Sequence, residues 1–82
     1  MTRRDKLIER IRRRPPTAKF SDVRSLLEDD GWTLDRTSGS HHVFTKPGMR
    51  SFPVPVHNGV VIRTYLDVLC DLLGLDEENE TA

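Results

Sequence analysis

Residues 32–56 read WTLDRTSGSHHVFTKPGMRSFPVPV: three short runs rich in apolar and β-branched residues, separated by two glycine-containing turns. Trp32 to Thr37 alternates large apolar and polar side chains, as a half-buried strand does. Ser38-Gly39 makes a turn, His41 to Lys46 a second strand, Pro47-Gly48 a second turn and Met49 to Val56 a third strand. Strands joined by links this short pair antiparallel. Pro53 and Pro55 carry no N–H to donate, which puts the third strand at a sheet edge on its proline side.

Helices flank these strands. Residues 3–13 form a short one, with Leu7, Ile8 and Ile11 as a narrow apolar stripe, ended by Pro15-Pro16. A second helix opens at Ser21 as N-cap, carries Asp22 in its first turn, faces inward through Val23, Leu26 and Leu27, and stops at Gly31. His57-Asn58-Gly59 is a loop. Thr64-x-x-Asp67 resembles a capping box opening the last helix, where Leu66, Leu69, Leu72 and Leu73 recur at helical spacing up to Gly74. The expected class is α+β, with one sheet face packed on the second and final helices and the other free to meet a partner.

Composition narrows the function classes. At 82 residues the chain makes one domain, near the size where a single hydrophobic core just suffices. Cys70 is the one cysteine, which excludes an intrachain disulfide and a thiolate metal cluster and suits a reducing cytosol. Apolar runs fall far short of the roughly 20 residues that cross a bilayer, and the Arg-rich start lacks a signal peptide's apolar region. A cytoplasmic protein with no membrane partner is expected. The net charge of zero conceals segregation: residues 1–24 hold nine Lys/Arg against three acids, and residues 76–82 hold four acids and no base. A basic arm attracts phosphate backbones. The competing account is a solvated helix end whose cations complement the macrodipole.

Several segments together resemble the HicA toxins of bacterial toxin–antitoxin pairs, over roughly Phe20 to Leu75. They are Glu28-Asp29-Asp30-Gly31-Trp32, then Gly39-Ser40-His41-His42-Val43-Phe44, then Val54-Pro55-Val56-His57, then Leu72-Leu73-Gly74-Leu75. The resemblance implies a double-stranded-RNA-binding-like α-β-β-β-α fold with a three-stranded antiparallel sheet. It also implies metal-independent cleavage of mRNA, with no cofactor, and neutralisation by a HicB-type antitoxin. His41 occupies the family's catalytic position. Residues 1–19 extend beyond the minimal family domain as a basic helical extension, residues 20–75 form the RNA-binding and cleaving domain, and 76–82 are expected to be a disordered acidic tail.

Chemistry supports the histidine assignment separately. RNA carries its own nucleophile, the 2′-hydroxyl, so a protein needs mainly to remove that proton and position the phosphate. An imidazole, with an ordinary pKa of about 6.5, suits that task near neutral pH. Gly39 lets the backbone approach the phosphate, and neighbouring N–H groups bind developing charge. His41 and His42 point to opposite faces of a regular strand. Phe44 shares the parity of His42, which directs that pair to the core and His41 outward. His42 remains the fallback.

His57 has two open roles, a second acid–base or phosphate-binding group and an organiser of its loop. Lys46 is expected to contact RNA because it lies on the histidine strand, while Arg36 and Arg50 are weaker candidates. Ser40 serves the turn or a phosphate. Trp32 and Phe44 are core residues, and Cys70 is a small buried hydrophobe. Three histidines raise the question of zinc, but adjacent strand residues diverge and no cysteine or well-spaced carboxylate completes a site. The rival function is a non-catalytic double-stranded-RNA-binding module of the same fold.

Overall fold

A computed structural model of the chain describes residues 3–75, and of Arg3 the backbone only. The acidic segment 76–82 lies outside the described residues. In chain order the elements are α1 (Arg3–Arg12), β1 (Thr17–Lys19), α2 (Phe20–Asp29), β2 (Thr33–Ser38), β3 (His41–Thr45), β4 (Phe52–Pro55), β5 (Val60–Ile62) and α3 (Arg63–Leu73). Strands β2, β3 and β4 form an antiparallel sheet in that order, with β3 central. The class is α+β, and the run from α2 through the sheet to α3 gives the expected α-β-β-β-α order, preceded by α1.

Two short strands add to that order. β1 and β5 pair antiparallel, Thr17 with Ile62, Ala18 with Val61 and Lys19 with Val60. Backbone bonds from Phe20 N to Gly59 O (2.9 Å) and from Arg63 N to Pro16 O (3.0 Å) lengthen this ribbon at both ends. The chain therefore enters α2 and α3 directly from strands. Neither Ser21 nor Thr64 caps its helix: Lys19 and Ile62 hold the cap positions, with extended backbone and no side-chain cap bond. Asp67, the expected far member of the capping box, faces Arg14 instead, in an ion pair that ties the end of α1 to α3.

The C-termini of α2 and α3 close by one device. Gly31 (φ 98) and Gly74 (φ 67) adopt left-handed backbone, which glycine enters without a Cβ penalty. The following residue reaches back five positions, Trp32 N to Leu27 O (2.9 Å) and Leu75 N to Cys70 O (2.9 Å), the Schellman pattern. Trp32 and Leu75 are both buried there, so each helix stop also delivers an apolar side chain to the interior.

One core joins all layers. Phe44 from β3, Val54 from β4, Leu26 and Leu27 from α2, and Leu66, Leu69 and Cys70 from α3 are almost wholly excluded from solvent. Leu7 and Ile11 of α1 belong to the same cluster, as does Ala18 of β1. The basic N-terminal segment is thus built into the fold through its apolar stripe, and the core runs across residue 19.

Strand β4 lies at the sheet edge, as its prolines require. Phe52 and Val54 sit opposite Phe44 and His42, alternating with Pro53 and Pro55, so the proline nitrogens point away from β3. Opposite, β2 carries a bulge between Leu34 and Arg36 that leaves Asp35 outside the ladder.

Ile11→Ala removes a side chain with no solvent exposure, and is expected to destabilise the protein by about 2–5 kcal/mol. Urea denaturation measures this. A change under about 0.5 kcal/mol, typical of surface sites, would mean that α1 docks only loosely.

Candidate functional site

The β2–β3 hairpin turns on Gly39-Ser40, one residue later than Ser38-Gly39, because Ser38 is still paired with His41. Gly39 has φ 60 and Ser40 is not among the positive-φ residues, the arrangement of a II′ turn with glycine first. A Cβ added at Gly39 would meet no heavy atom within 4 Å. The glycine is needed for its backbone angle, and the space beside it is open.

From that turn the strand sorts its side chains by parity. His41 is exposed. His42 is half-buried, its ring 4.4 Å from the Phe20 ring at the start of α2, while Phe44 lies 6.1 Å from the same ring with no solvent exposure. His42 and Phe44 therefore face the helices, and His41 with Val43 faces the other side. Val43 is shielded as well, but lies outside the core cluster, opposite Arg36 and Pro53. His42 Nδ1 is buried without a hydrogen-bond partner among the described residues. His42 thus serves as packing under the strand that presents His41.

Phe20 is the site residue that sequence reasoning misses. Nothing local marks an aromatic at a helix start as the platform for a histidine on a distant strand.

His57 approaches from β4. Val56 N donates to Ser40 O at 2.7 Å, which extends the β3–β4 pairing by one step into the Gly39-Ser40 turn. His57 and Val60 exchange two backbone hydrogen bonds of 3.0 Å across Asn58 (φ 53) and Gly59 (φ 77), a two-residue I′ turn. The imidazole of His57 is exposed. Gly39, Ser40, His41, His42 and His57 therefore converge at one end of the sheet, and Ser40 joins the two histidine segments through its carbonyl.

Lys46 is not among them. Five residues of extended chain separate it from His41, roughly 16 Å. Its ammonium pairs with Asp30 at 3.2 Å and lies 6.0 Å from the Trp32 ring. A Cβ on Gly31 would come within 3.4 Å of its Cε. The side chain braces the end of α2, which accounts for a lysine here without RNA.

The basic arm is likewise engaged within the protein. Arg4 pairs with Asp29 (3.7 Å), Arg10 with Asp22 (3.0 Å), Arg13 with Glu9 (3.8 Å) and Arg24 with Glu28 (2.8 Å), while Arg14 pairs with Asp67. Asp22 is the buried member of this set, so Arg10 supplies the counter-charge that makes its burial tolerable. Acids on α1, α2 and α3 thus face Arg4, Arg10, Arg13, Arg14 and Arg24, and three of these acids, Glu28, Asp29 and Asp67, come from outside residues 1–24, which favours the structural account of the arm. A shallow hollow on the outside of α1, between Lys6, Glu9, Arg10 and Arg13, holds none of the histidines. Among the described residues no three His, Cys, Asp or Glu side chains are grouped to hold a metal ion, and no helix is long and apolar enough to cross a membrane.

Fold and site together define a small α+β domain of the double-stranded-RNA-binding-like type, with histidines gathered at a sheet end. The model of one family, described as the HicA toxin of bacterial toxin–antitoxin systems, matches residues 20–66, more than half of the chain. The chain belongs to the HicA toxin family: it is the toxin of a toxin–antitoxin pair and has a cognate antitoxin as partner. No curated protein and no solved structure matches it.

Lys46→Ala tests the placement of that lysine. Loss of a half-exposed ion pair is expected to cost no more than about 1 kcal/mol in thermal or urea unfolding, with growth arrest by the expressed chain intact. Loss of toxicity in a folded variant would return Lys46 to the site.

Proposed function

We propose that this toxin is a metal-independent endoribonuclease that cleaves mRNA in the cytoplasm, with His41 as the general base and a HicB-type antitoxin as its inhibitor. One observation carries the reading: the His41 imidazole is exposed on the sheet face away from the helices, next to the open backbone of Gly39. There it can accept the proton of a ribose 2′-hydroxyl while the oxygen attacks the adjacent phosphorus. Backbone N–H groups around the Gly39-Ser40 turn are the nearest donors for the charge that builds on the phosphate. Ser40 acts through its backbone, by holding the β4 segment in place. The cleaving unit is residues 20–75, with the apolar side of 1–19 completing its core.

Charge neutralisation by the Arg-rich arm does not drive RNA binding in this scheme, because Arg4, Arg10, Arg13 and Arg14 already face acids. Affinity then rests on contacts at the histidine end of the sheet. A single acid–base group contributes about 10²–10⁴-fold to rate, so a slow enzyme is expected.

Expression of the wild-type chain without its antitoxin is expected to arrest growth and fragment transcripts, and His41→Ala to be tolerated while keeping its circular dichroism spectrum. Intact transcripts under the wild-type chain would indicate an RNA-binding module instead. Cleavage by the purified protein should survive excess EDTA; its abolition, with recovery on adding back a divalent ion, would refute metal independence. The antitoxin is expected to cover the His41 face, and a complex that leaves His41 open to RNA would count against occlusion as the mode of inhibition.

A further inference from the structure

One proton is unaccounted for in that chemistry. When the 2′-oxygen–phosphorus bond forms, the phosphorus–5′-oxygen bond must break, and the departing alkoxide is a poor leaving group unless protonated. We infer that His57 is the general acid that supplies this proton. The inference rests on the nuclease reading above and completes it.

Register places the two imidazoles. His41 sits opposite Pro55 in the β3–β4 ladder, and the Val56-to-Ser40 bond continues the same pairing, which makes His57 the diagonal neighbour of His41. With side chains alternating by two, residues 55 and 57 share the face of residue 41. Diagonal neighbours in an antiparallel pair have Cβ atoms about 7 Å apart. A phosphodiester fits between two rings so spaced, each within about 3 Å of the oxygen it serves.

The remaining histidine does not compete. His42 faces the opposite side, its ring tilted against that of Phe20. Asp35 and Arg36, on the other side of β3, are engaged with each other at 2.9 Å.

The scaffold under His57 is rigid for a loop. Three backbone hydrogen bonds hold the turn, two between His57 and Val60 and one from Phe20 N to Gly59 O. None uses the imidazole, so the turn does not need a histidine. A backbone held this firmly, carrying an exposed imidazole that its own turn does not require, is what a positioned proton donor calls for.

In the step, His41 takes the 2′-proton and ends as imidazolium, and His57 gives its proton to the 5′-oxygen and ends neutral. The products are a 2′,3′-cyclic phosphate and a free 5′-hydroxyl. Proton exchange with water restores both rings.

The test uses the purified full chain and two RNA oligonucleotides, one normal and one with sulfur replacing the bridging 5′-oxygen at the cleaved linkage. A thiolate leaves without protonation, so only loss of the acid is rescued. His57→Ala and His57→Gln are expected to cleave the oxygen substrate roughly 10²-fold or more slowly, and the sulfur substrate at nearly the wild-type rate. His41→Ala should be slow on both. Wild-type rates on the oxygen substrate for both His57 variants, or slow cleavage of both substrates by these variants, would overturn the role of His57 and leave His41 catalysis standing. A wild-type chain that cleaves neither substrate would overturn both.

Discussion

The position of Phe44 in the central strand governs everything at the functional end of this protein. A strand presents alternate residues to alternate faces, and a one-residue slip would exchange its buried set for its exposed set. Phe44 has no solvent exposure and packs toward Phe20 under α2, which fixes the inward parity of β3. His42 then follows Phe44 inward and His41 is left outside. The II′ turn at Gly39-Ser40 enforces the same register from the other end, since only a residue at ease with positive φ allows the hairpin to close there. Exposure of the proposed base is thus a consequence of burying a phenylalanine three residues away.

The same constraint extends across the ladder. Because β3 is paired on both sides, its register dictates that of β4, and β4 delivers Val56 to the Ser40 carbonyl. The β1–β5 ribbon then fixes where the chain goes after His57, and α2 and α3 start directly from its two strands. Binding-site geometry of this kind tolerates change at most exposed positions far better than at Phe44 or Phe20, which touch no substrate in the proposed scheme.

Much of this was legible in the residues, for identifiable reasons. Gly31 and Gly74 announce helix stops because left-handed backbone has a chemical signature. Pro53 and Pro55 announce an edge because a missing N–H cannot be placed in a ladder interior. The parity of His41 followed from Phe44. What was not legible is tertiary in origin. Strands of three residues are too short for periodicity to register, and β1 and β5 find each other from opposite ends of the chain. Asn58-Gly59 between Val56 and Val60-Val61-Ile62 does carry a hairpin signal, and treating it as a plain loop hides β5. Ser21 and Thr64 have the composition of caps but lie inside helices entered from strands. The pairing of Arg4 and Arg10 with acids on α2, of Arg14 with Asp67 on α3 and of Lys46 with Asp30 joins residues distant in sequence, and no local pattern announces it.

The alternation of Phe52-Pro53-Val54-Pro55 sets a limit on self-assembly. The outer rim of β4 offers carbonyl acceptors but no amide donors, so it cannot template another strand. The rim of β2 keeps its amide donors, though the bulge at Asp35 interrupts it. Growth through this sheet is therefore one-sided: two copies joined rim to rim along β2 would use up the one competent side of each, and stacking by that route would end at a pair instead of running on into a fibre.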